Sequence, residues 1–257
     1  MQDRSPISSR AASGGRITNT RGRAETMNGP SSVCREIEAA LEPSGILIRG
    51  TVDFAVGEGP LLADGNPAAS VVLLGNVGGS IWPAFSRWRT QYNGPDPLDT
   101  WSKAIIRPLA QTVDGTAYFP SDPPWQPFQQ WAMRAEGLKP SPLGILIHPE
   151  YGLWHGYRGA IGFPRAVAKS HAGQLVTVGR HACEGCETKP CLTACPVSAI
   201  NTDPADFSVS ACRNHLATPS GQGGCMVSGC LARNVCPVGP EHCYPPQQLE
   251  FHMQALR

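Results

Sequence analysis

Residues 181–200, HACEGCETKPCLTACPVSAI, contain four cysteines with the spacing C-x2-C-x4-C-x3-C, and a proline follows the last of them. The four are Cys183, Cys186, Cys191 and Cys195. Closely spaced thiolates on a tight loop can surround a small inorganic cluster, and a Cys-Pro step turns the chain away from it. The common iron–sulfur spacing is C-x2-C-x2-C-x3-C-P, and this segment has two additional residues in its middle gap. The spacing predicts a 4Fe-4S cluster.

Three other uses of these cysteines fit the spacing less well. A zinc site more often shows two well-separated C-x2-C pairs. A disulfide framework would accompany an export signal, and the sequence has no apolar segment of that kind near its start. A C-x-x-C redox pair leaves Cys191, Cys195 and Pro196 unexplained.

A second set of cysteines follows, with gaps of x12, x4 and x5 and again a proline after the last member. It consists of Cys212, Cys225, Cys230 and Cys236. The near-copies CPVS at 195–198 and CPVG at 236–239 indicate a duplicated cluster module. The irregular gaps leave open one cluster plus structural or zinc-bound cysteines. Cys243 either substitutes for Cys236 or is a plain buried thiol, which we expect, and Cys34 is expected in the core.

The first set resembles the ferredoxin-like electron-transfer subunits of multi-subunit oxidoreductases, in which the x4 gap is common. In dicluster ferredoxins the last cysteine of each set ligates the neighbouring cluster. That resemblance implies one ligand set of Cys183, Cys186, Cys191 and Cys236. It implies a second set of Cys212, Cys225, Cys230 and Cys195. The expected role is electron transfer, with a redox donor protein as partner.

The composition bounds the remaining possibilities. The 257 residues carry a formal net charge of +1, which argues against a nucleic-acid or membrane-surface binder. No apolar run reaches the roughly 18 residues of a membrane span. Free thiolates and clusters imply a reducing compartment, hence the cytoplasm.

Cysteine and tryptophan occupy different parts of the chain. Nine of the ten Cys lie between 183 and 243, and all six Trp between 82 and 154, which indicates two modules. The predicted organisation is a disordered tail over 1–32, a cofactor-binding domain over 33–165, a linker over 166–179 and a cluster domain over 180–257. Met27, shortly before the first structured pattern, is an alternative start to Met1.

The first module has alternating strand and helix patterns, which predict an α+β fold with a sheet covered by helices. Helices are expected over 31–41, with Val33, Ile37, Ala40 and Leu41 inward, over 81–92, from Pro97 onward and over 128–135. Strands are expected over 45–49 and 51–56 as a hairpin, over the apolar run 69–75, and over 143–148 and 157–163 around a turn at 151–152.

Residues 147–161, IHPEYGLWHGYRGAI, place His, Trp, Tyr and Arg beside glycines. Aromatic faces, glycines and a cation suit a large flat cofactor, although an aromatic core hairpin fits the same pattern. The string resembles the signature I-H-P-x-F/Y-G-G-W-x-x-x-R-G-V of CblC-type cobalamin-processing proteins. Residues 94–99, GPDPLD, and 71–88, VVLLGNVGGSIWPAFSRW, are similar to other segments of that family.

The resemblance covers about residues 33–165 and implies a flavin-reductase (nitroreductase-like) fold that binds cobalamin and removes its upper ligand reductively. His148 matches a position lining the corrin, and Gly152 and Trp154 match the signature Gly and Trp. Arg158 matches a position that contacts the carboxylates of glutathione, the thiol co-substrate of the family. Leu153 stands where the family has a second Gly.

After Pro164 the chain departs from that family and continues into the cysteine module. Our interpretation is that clusters replace glutathione as the electron source. Epoxyqueuosine reductases and reductive dehalogenases resemble this order, a cobalamin domain followed by two clusters. The predicted function is an iron–sulfur oxidoreductase that reduces bound cobalamin, with no catalytic residue assigned. The alternatives are a ferredoxin-type carrier that docks to a partner oxidoreductase and a flavin-dependent reductase in which the clusters feed FMN.

Overall fold

The computed structural model describes residues 30–167 and 181–256. Most of the predicted tail and linker lies outside these ranges. The first helix, α1, spans Pro30–Leu41 and so begins slightly before the predicted boundary. Val33, Ile37 and Leu41 point into the core as expected, whereas Ala40 is exposed.

A four-stranded antiparallel sheet organises the first half, in the order β1-β2-β6-β3. The strands are β1 (Leu47–Asp53), β2 (Ser70–Val77), β3 (Thr116–Tyr118) and β6 (His155–Phe163). Strand β2 lies in the middle, and its residues alternate between two cores: Val72 and Leu74 contact one, Val71 and Leu73 the other. A strand covered on both faces reads as a continuous apolar run, which is why the sequence predicts this one.

Helices cover both faces of the sheet. The larger core contains residues of α1, α2 (Trp82–Arg89) and α3 (Pro97–Thr112). The smaller core lies under α4 (Phe128–Glu136). A short hairpin of β4 (Lys139–Pro140) and β5 (Leu146–Ile147) follows α4. The predicted α+β class is therefore confirmed.

Two predictions about pairing are wrong. Residues 47–53 form the single strand β1 in place of the predicted hairpin of 45–49 and 51–56. The chain passes Gly50 with a register shift between Ile48 and Gly50 and stays paired to β2. The predicted strands 143–148 and 157–163 do not pair with each other, since β5 pairs with β4 and β6 with β2 and β3.

Helix α2 also ends earlier than the apolar spacing predicts. It stops at Arg89, so Tyr92 lies beyond it, but the Tyr92 ring still stacks on Trp88 with centroids 4.5 Å apart. Helix α3 begins at Pro97 as predicted and continues past Pro108. The contact between Trp88 and Tyr92 therefore forms even though Tyr92 lies outside the helix.

The cysteine half consists of short helices and turns. Its helices are α5 (Val209–Leu216), α6 (Pro219–Gly223), α7 (Cys225–Ser228), α8 (Leu231–Asn234) and α9 (Pro246–Gln254). Residues 181–256 contain no strand, so the structure does not confirm a ferredoxin-like fold here. In the two described ranges, no helix has the length and apolar character that crossing a membrane requires.

Helix α9 packs against the core of the first half. The Phe251 ring lies 5.1 Å from that of Phe85 and 5.8 Å from that of Trp82, measured between centroids. Tyr244, just before α9, meets Trp154 edge to face at 5.4 Å. The two halves are therefore joined by aromatic packing as well as by the chain.

Phe251→Ala is expected to lower the free energy of unfolding by about 2 kcal/mol, because the ring is partly buried in the larger core. Denaturant unfolding followed by circular dichroism measures this change. Trp125→Ala is the control, since Trp125 is 76% exposed and should change stability little. Equal effects of the two substitutions would contradict the packing of α9 on the sheet half.

Candidate functional site

Four thiols from two separate segments line one cavity. Cys183, Cys186 and Cys191 come from the first set, and Cys236 comes from the end of the second. Burial raises the pKa of Cys183 to about 11, and its interactions with Cys236, Cys191 and Cys186 add to the effect. We call this group the first quartet. It is the crossed combination that the resemblance to dicluster ferredoxins implies.

The other four thiols line a second cavity. Cys212, Cys225 and Cys230 meet Cys195, the last cysteine of the first set. Burial raises the pKa of Cys212, as do its interactions with Cys230, Cys195 and Cys225. We call this group the second quartet. Leu143 lines both cavities, so they are neighbours.

Backbone N–H groups approach several of the sulfurs. Ala199 N lies 3.3 Å from Cys195 Sγ, and the N–H groups of Ala232 and Arg233 hydrogen-bond to Cys230. The N–H of Val238 does the same for Cys236. These bonds lower the pKa of Cys230 and Cys236, against the effect of burial. Donors directed at sulfur stabilise the thiolate, which is the form that binds metal.

A single metal ion requires ligands that converge on one point, about 2.3 Å away for a thiolate on zinc. Over residues 30–167 and 181–256, no group of three or more His, Cys, Asp or Glu side chains is arranged in this way. The thiols of each quartet surround a space instead. This finding supports neither the zinc alternative nor the predicted clusters, and the clusters stay a prediction.

The two remaining cysteines lie apart from both cavities. Cys34 is buried in the larger core, as expected. Cys243 is exposed, so the prediction of a buried thiol is wrong. Its Sγ hydrogen-bonds to the Tyr244 carbonyl at 3.6 Å, and the chain presents it at the surface after the short 3-10 helix Pro240–His242.

His148 is a buried residue whose ring orientation is fixed by the following turn. The backbone N–H groups of Glu150 and Tyr151 each donate to Nδ1 at 3.1 Å. The neutral ring must therefore carry its proton on Nε2, which lies 3.9 Å from Glu136 Oε2. Burial, aided by the charge of Arg49, lowers the pKa of His148 to about 4. The Tyr151 ring stacks on it at 4.2 Å.

A buried ion pair lies beside His148. Arg49 on β1 binds Glu136 at the end of α4 at 2.7 Å, and both side chains are almost completely buried. Arg49 also donates to the Asn76 carbonyl, and the Tyr157 hydroxyl donates to Glu136 at 2.6 Å. Burial and the Glu136 charge raise the pKa of Tyr157. The sequence analysis missed this group, and the only signal was one arginine inside the apolar segment ILIRG.

Gly152 and Trp154 lie at the contact with the cysteine half. Gly152 has φ +57°, and a Cβ atom there would lie 1.9 Å from the Val238 carbonyl oxygen. Trp154 is 1% exposed, and the Arg233 guanidinium lies over its ring at 4.4 Å. Packing within the chain accounts for both residues. Their proposed contact with a cofactor stays a prediction.

Arg158 extends from β6 toward α9. Its Nε is buried without a hydrogen bond, and burial lowers its pKa while Tyr244 and Asp99 oppose the shift. Among the described carboxylates, none lies within ion-pair distance of this guanidinium.

An open cleft of about 390 Å³ lies next to the ion pair and is bounded by α1, β1 and Tyr151. Arg49, Val77 and the aliphatic residues 46–48 line it, with Glu38 and Glu42 on one side. The volume falls within the range of ligand pockets, and the lining combines apolar surface with a few polar groups. None of the residues predicted to line a corrin lines this cleft, but the His148 ring stacks on that of Tyr151, which does.

No protein-family model matches the chain, and no curated protein matches it. Among solved structures, the chain is similar to the crystal structure of the C. elegans B12-trafficking protein CblC, a homologue of human MMACHC. The identity is 12% and the TM-score 0.47, with 88% of this chain and 92% of that chain covered.

Gly152→Ala is expected to lower the free energy of unfolding by about 3 kcal/mol, because of both the positive φ and the clash with the Val238 carbonyl. Gly144→Ala is the matched control: its φ is +74°, but nothing lies within 4 Å of the added Cβ. Gly144→Ala should lower the free energy of unfolding only by the cost of a positive φ in alanine, about 1 kcal/mol. Denaturant unfolding of both variants measures the difference, and equal losses would rule out the close approach at residue 152.

Stability is expected to fall as the pH is lowered from about 7 to about 5. His148 and His155 have pKa values lowered to about 4 and about 3, mainly by burial, whereas an exposed histidine titrates near 6.5. Between these values the unfolded chain binds more protons, so acid favours unfolding. The midpoint of thermal unfolding against pH measures the effect. His252, whose pKa is also lowered to about 4, adds to the same decline. His155→Gln removes one of the three groups and should reduce the decline, and an unchanged slope would contradict the assignment.

Proposed function

We propose that this protein is an oxidoreductase that holds two 4Fe-4S clusters and reduces a bound cobalamin, which then loses its upper ligand. The observation that carries the proposal is the grouping of eight cysteines into two quartets, each around its own cavity. Each quartet takes three thiols from one set and the fourth from the other set. A zinc site or a lone redox pair does not require this exchange.

The surroundings of the quartets also support cluster binding. Hydrogen-bond donors directed at the ligand sulfurs tune and stabilise iron–sulfur clusters. In this protein, backbone N–H groups are directed at Cys195, Cys230 and Cys236. When bound, the clusters would supply single-electron transfer. The first quartet would hold one and the second quartet the other, while the ten free thiols fit a reducing compartment such as the cytoplasm.

The cobalamin part of the proposal rests on the resemblance of residues 147–159 to CblC-type proteins. We propose the cleft beside Tyr151 as the corrin site, because Tyr151 of that segment lines it together with apolar residues and the paired Arg49. Arg49, fixed by Glu136, and the ring of Tyr151 would bind the amide-bearing edge and a face of the macrocycle. His148 holds the turn beneath Tyr151 by accepting two backbone hydrogen bonds.

The reaction balances with cyanocobalamin as substrate. Cobalt(III) gains one electron, the cobalt–carbon bond breaks, and cyanide leaves with the bonding pair. The electron comes from an external redox donor protein. Within the chain, the first cavity is lined by Ile147 and Leu153, which flank the segment proposed to face the corrin.

Reciprocal variants test the two halves of the proposal. After anaerobic reconstitution, Cys191→Ser should lose about half of the bound iron and all cyanide release but keep cobalamin affinity. Cys243→Ser, which changes an exposed thiol outside both cavities, is the control and should keep full iron. His148→Ala should keep the iron and lose about tenfold in cobalamin affinity. Iron analysis, electron paramagnetic resonance and visible titration measure these quantities.

The crossed ligand sets add a sharper criterion. Cys191→Ser combined with Cys236→Ser should lose no more iron than either alone, because both thiols serve one site. Cys191→Ser combined with Cys195→Ser should lose nearly all of it. If the protein holds two reducible clusters but binds no cobalamin, the carrier alternative replaces the proposal. If a yellow cofactor copurifies with the protein, the flavin alternative replaces it. A protein that takes up no iron would overturn it.

A further inference from the structure

Arg233 occupies a position between the two quartets that the proposed function does not use. It lies on α8, between Cys230 and Cys236, and it lines the cavity of the second quartet. Its guanidinium also donates a hydrogen bond to the carbonyl of Leu153, which lines the cavity of the first quartet. One side chain therefore touches the surroundings of both cavities.

The guanidinium is enclosed by aromatic rings rather than by acids. Its central carbon lies 4.4 Å from the centre of the Trp154 ring and 4.7 Å from that of Tyr244. Its Nε is buried and has no hydrogen-bond partner. Within the described ranges, no carboxylate comes as close to Arg233 as an ion pair requires.

The neighbouring side chains do not compensate this charge. Arg158 is a second, partly buried guanidinium that has no ion pair within 4 Å among the described residues, although the more distant Asp99 carboxylate interacts with it. Both arginines act on His252, which lines the second cavity. Burial, together with the charges of Arg158 and Arg233, lowers the pKa of His252 to about 4. The second cavity is therefore next to a positive charge that lacks a counter-charge. Such a charge is costly unless something negative lies beside it.

The group expected in the second cavity would provide that counter-charge. A 4Fe-4S cluster held by four thiolates carries a net negative charge, which grows by one unit when the cluster accepts an electron. We propose that Arg233 is a positioning residue that neutralises part of this charge and thereby raises the reduction potential of the cluster in the second quartet. This inference rests on the proposed function.

Substitutions that separate charge from packing test the inference. Arg233→Gln removes the charge but keeps a donor for the Leu153 carbonyl, whereas Arg233→Lys keeps the charge and loses the guanidinium that lies over the Trp154 ring. Arg213→Gln is the control, because Arg213 is an exposed arginine next to Cys212 whose charge is screened by solvent. The measurement is a redox titration followed by electron paramagnetic resonance.

We expect Arg233→Gln to shift one of the two midpoint potentials downward, by the equivalent of a tenfold or larger change in the reduction equilibrium, about 59 mV for one electron. Arg233→Lys and Arg213→Gln should stay close to the wild type. The same shift should appear in the Cys191→Ser background, where only the second quartet can hold a cluster.

The unfolding temperature of the iron-free protein distinguishes a merely structural role. If Arg233 only joins the two halves, Arg233→Gln will lower that temperature and leave both potentials unchanged, which overturns the inference. A shift of equal size in Arg233→Lys also overturns it, since the charge is retained there. Wild-type protein without clusters refutes the proposed function itself, and this inference with it, whereas clusters with an unmoved potential refute the inference alone.

Discussion

The contact between two tight turns holds the molecule together. The backbone of the turn at 150–152 packs directly against the backbone at 238–239. A Cβ atom at Gly152 would collide with the Val238 carbonyl, and one at Gly239 would collide with the Glu150 carbonyl. Both glycines have positive φ, which other residues adopt at a cost. Because Val238 follows Cys236 by two residues, this contact also fixes the thiol that completes the first quartet. Fold and candidate site therefore depend on the same few atoms.

The sequence predicts those elements of the fold that are determined by a short local pattern. The continuous apolar run of β2 and the helical spacing of α3 and α4 identify these elements, since they reflect burial on two faces or on one. The resemblance also names the four cysteines that line each cavity, although their role as cluster ligands stays a prediction. In each case the information lies in a short segment or in a spacing.

What the sequence does not predict depends on distant partners. The bulge at Gly50 keeps β1 in one piece because β2 continues alongside it, and no local signal shows that. Arg49 and Glu136 are 87 residues apart, so their pair emerges only when α4 covers the sheet. A buried pair of this kind is weak evidence for stability, but it excludes other arrangements of α4, since an unpaired charge there would cost several kcal/mol.

The two cavities differ in what surrounds them, and this difference suits the division of labour that we propose. Ile145, Val197 and Leu256 line the second cavity and are each more than a third exposed, so they form an apolar rim open to solvent. The first cavity lies between the cysteine loop and segment 141–153, beside the residues proposed to face the corrin. In the proposed function, a redox partner would reach the second quartet across this rim, and the first quartet would lie nearer to the proposed corrin site. Leu143 lines both cavities, so electrons that pass between the proposed clusters would travel only between neighbouring sites.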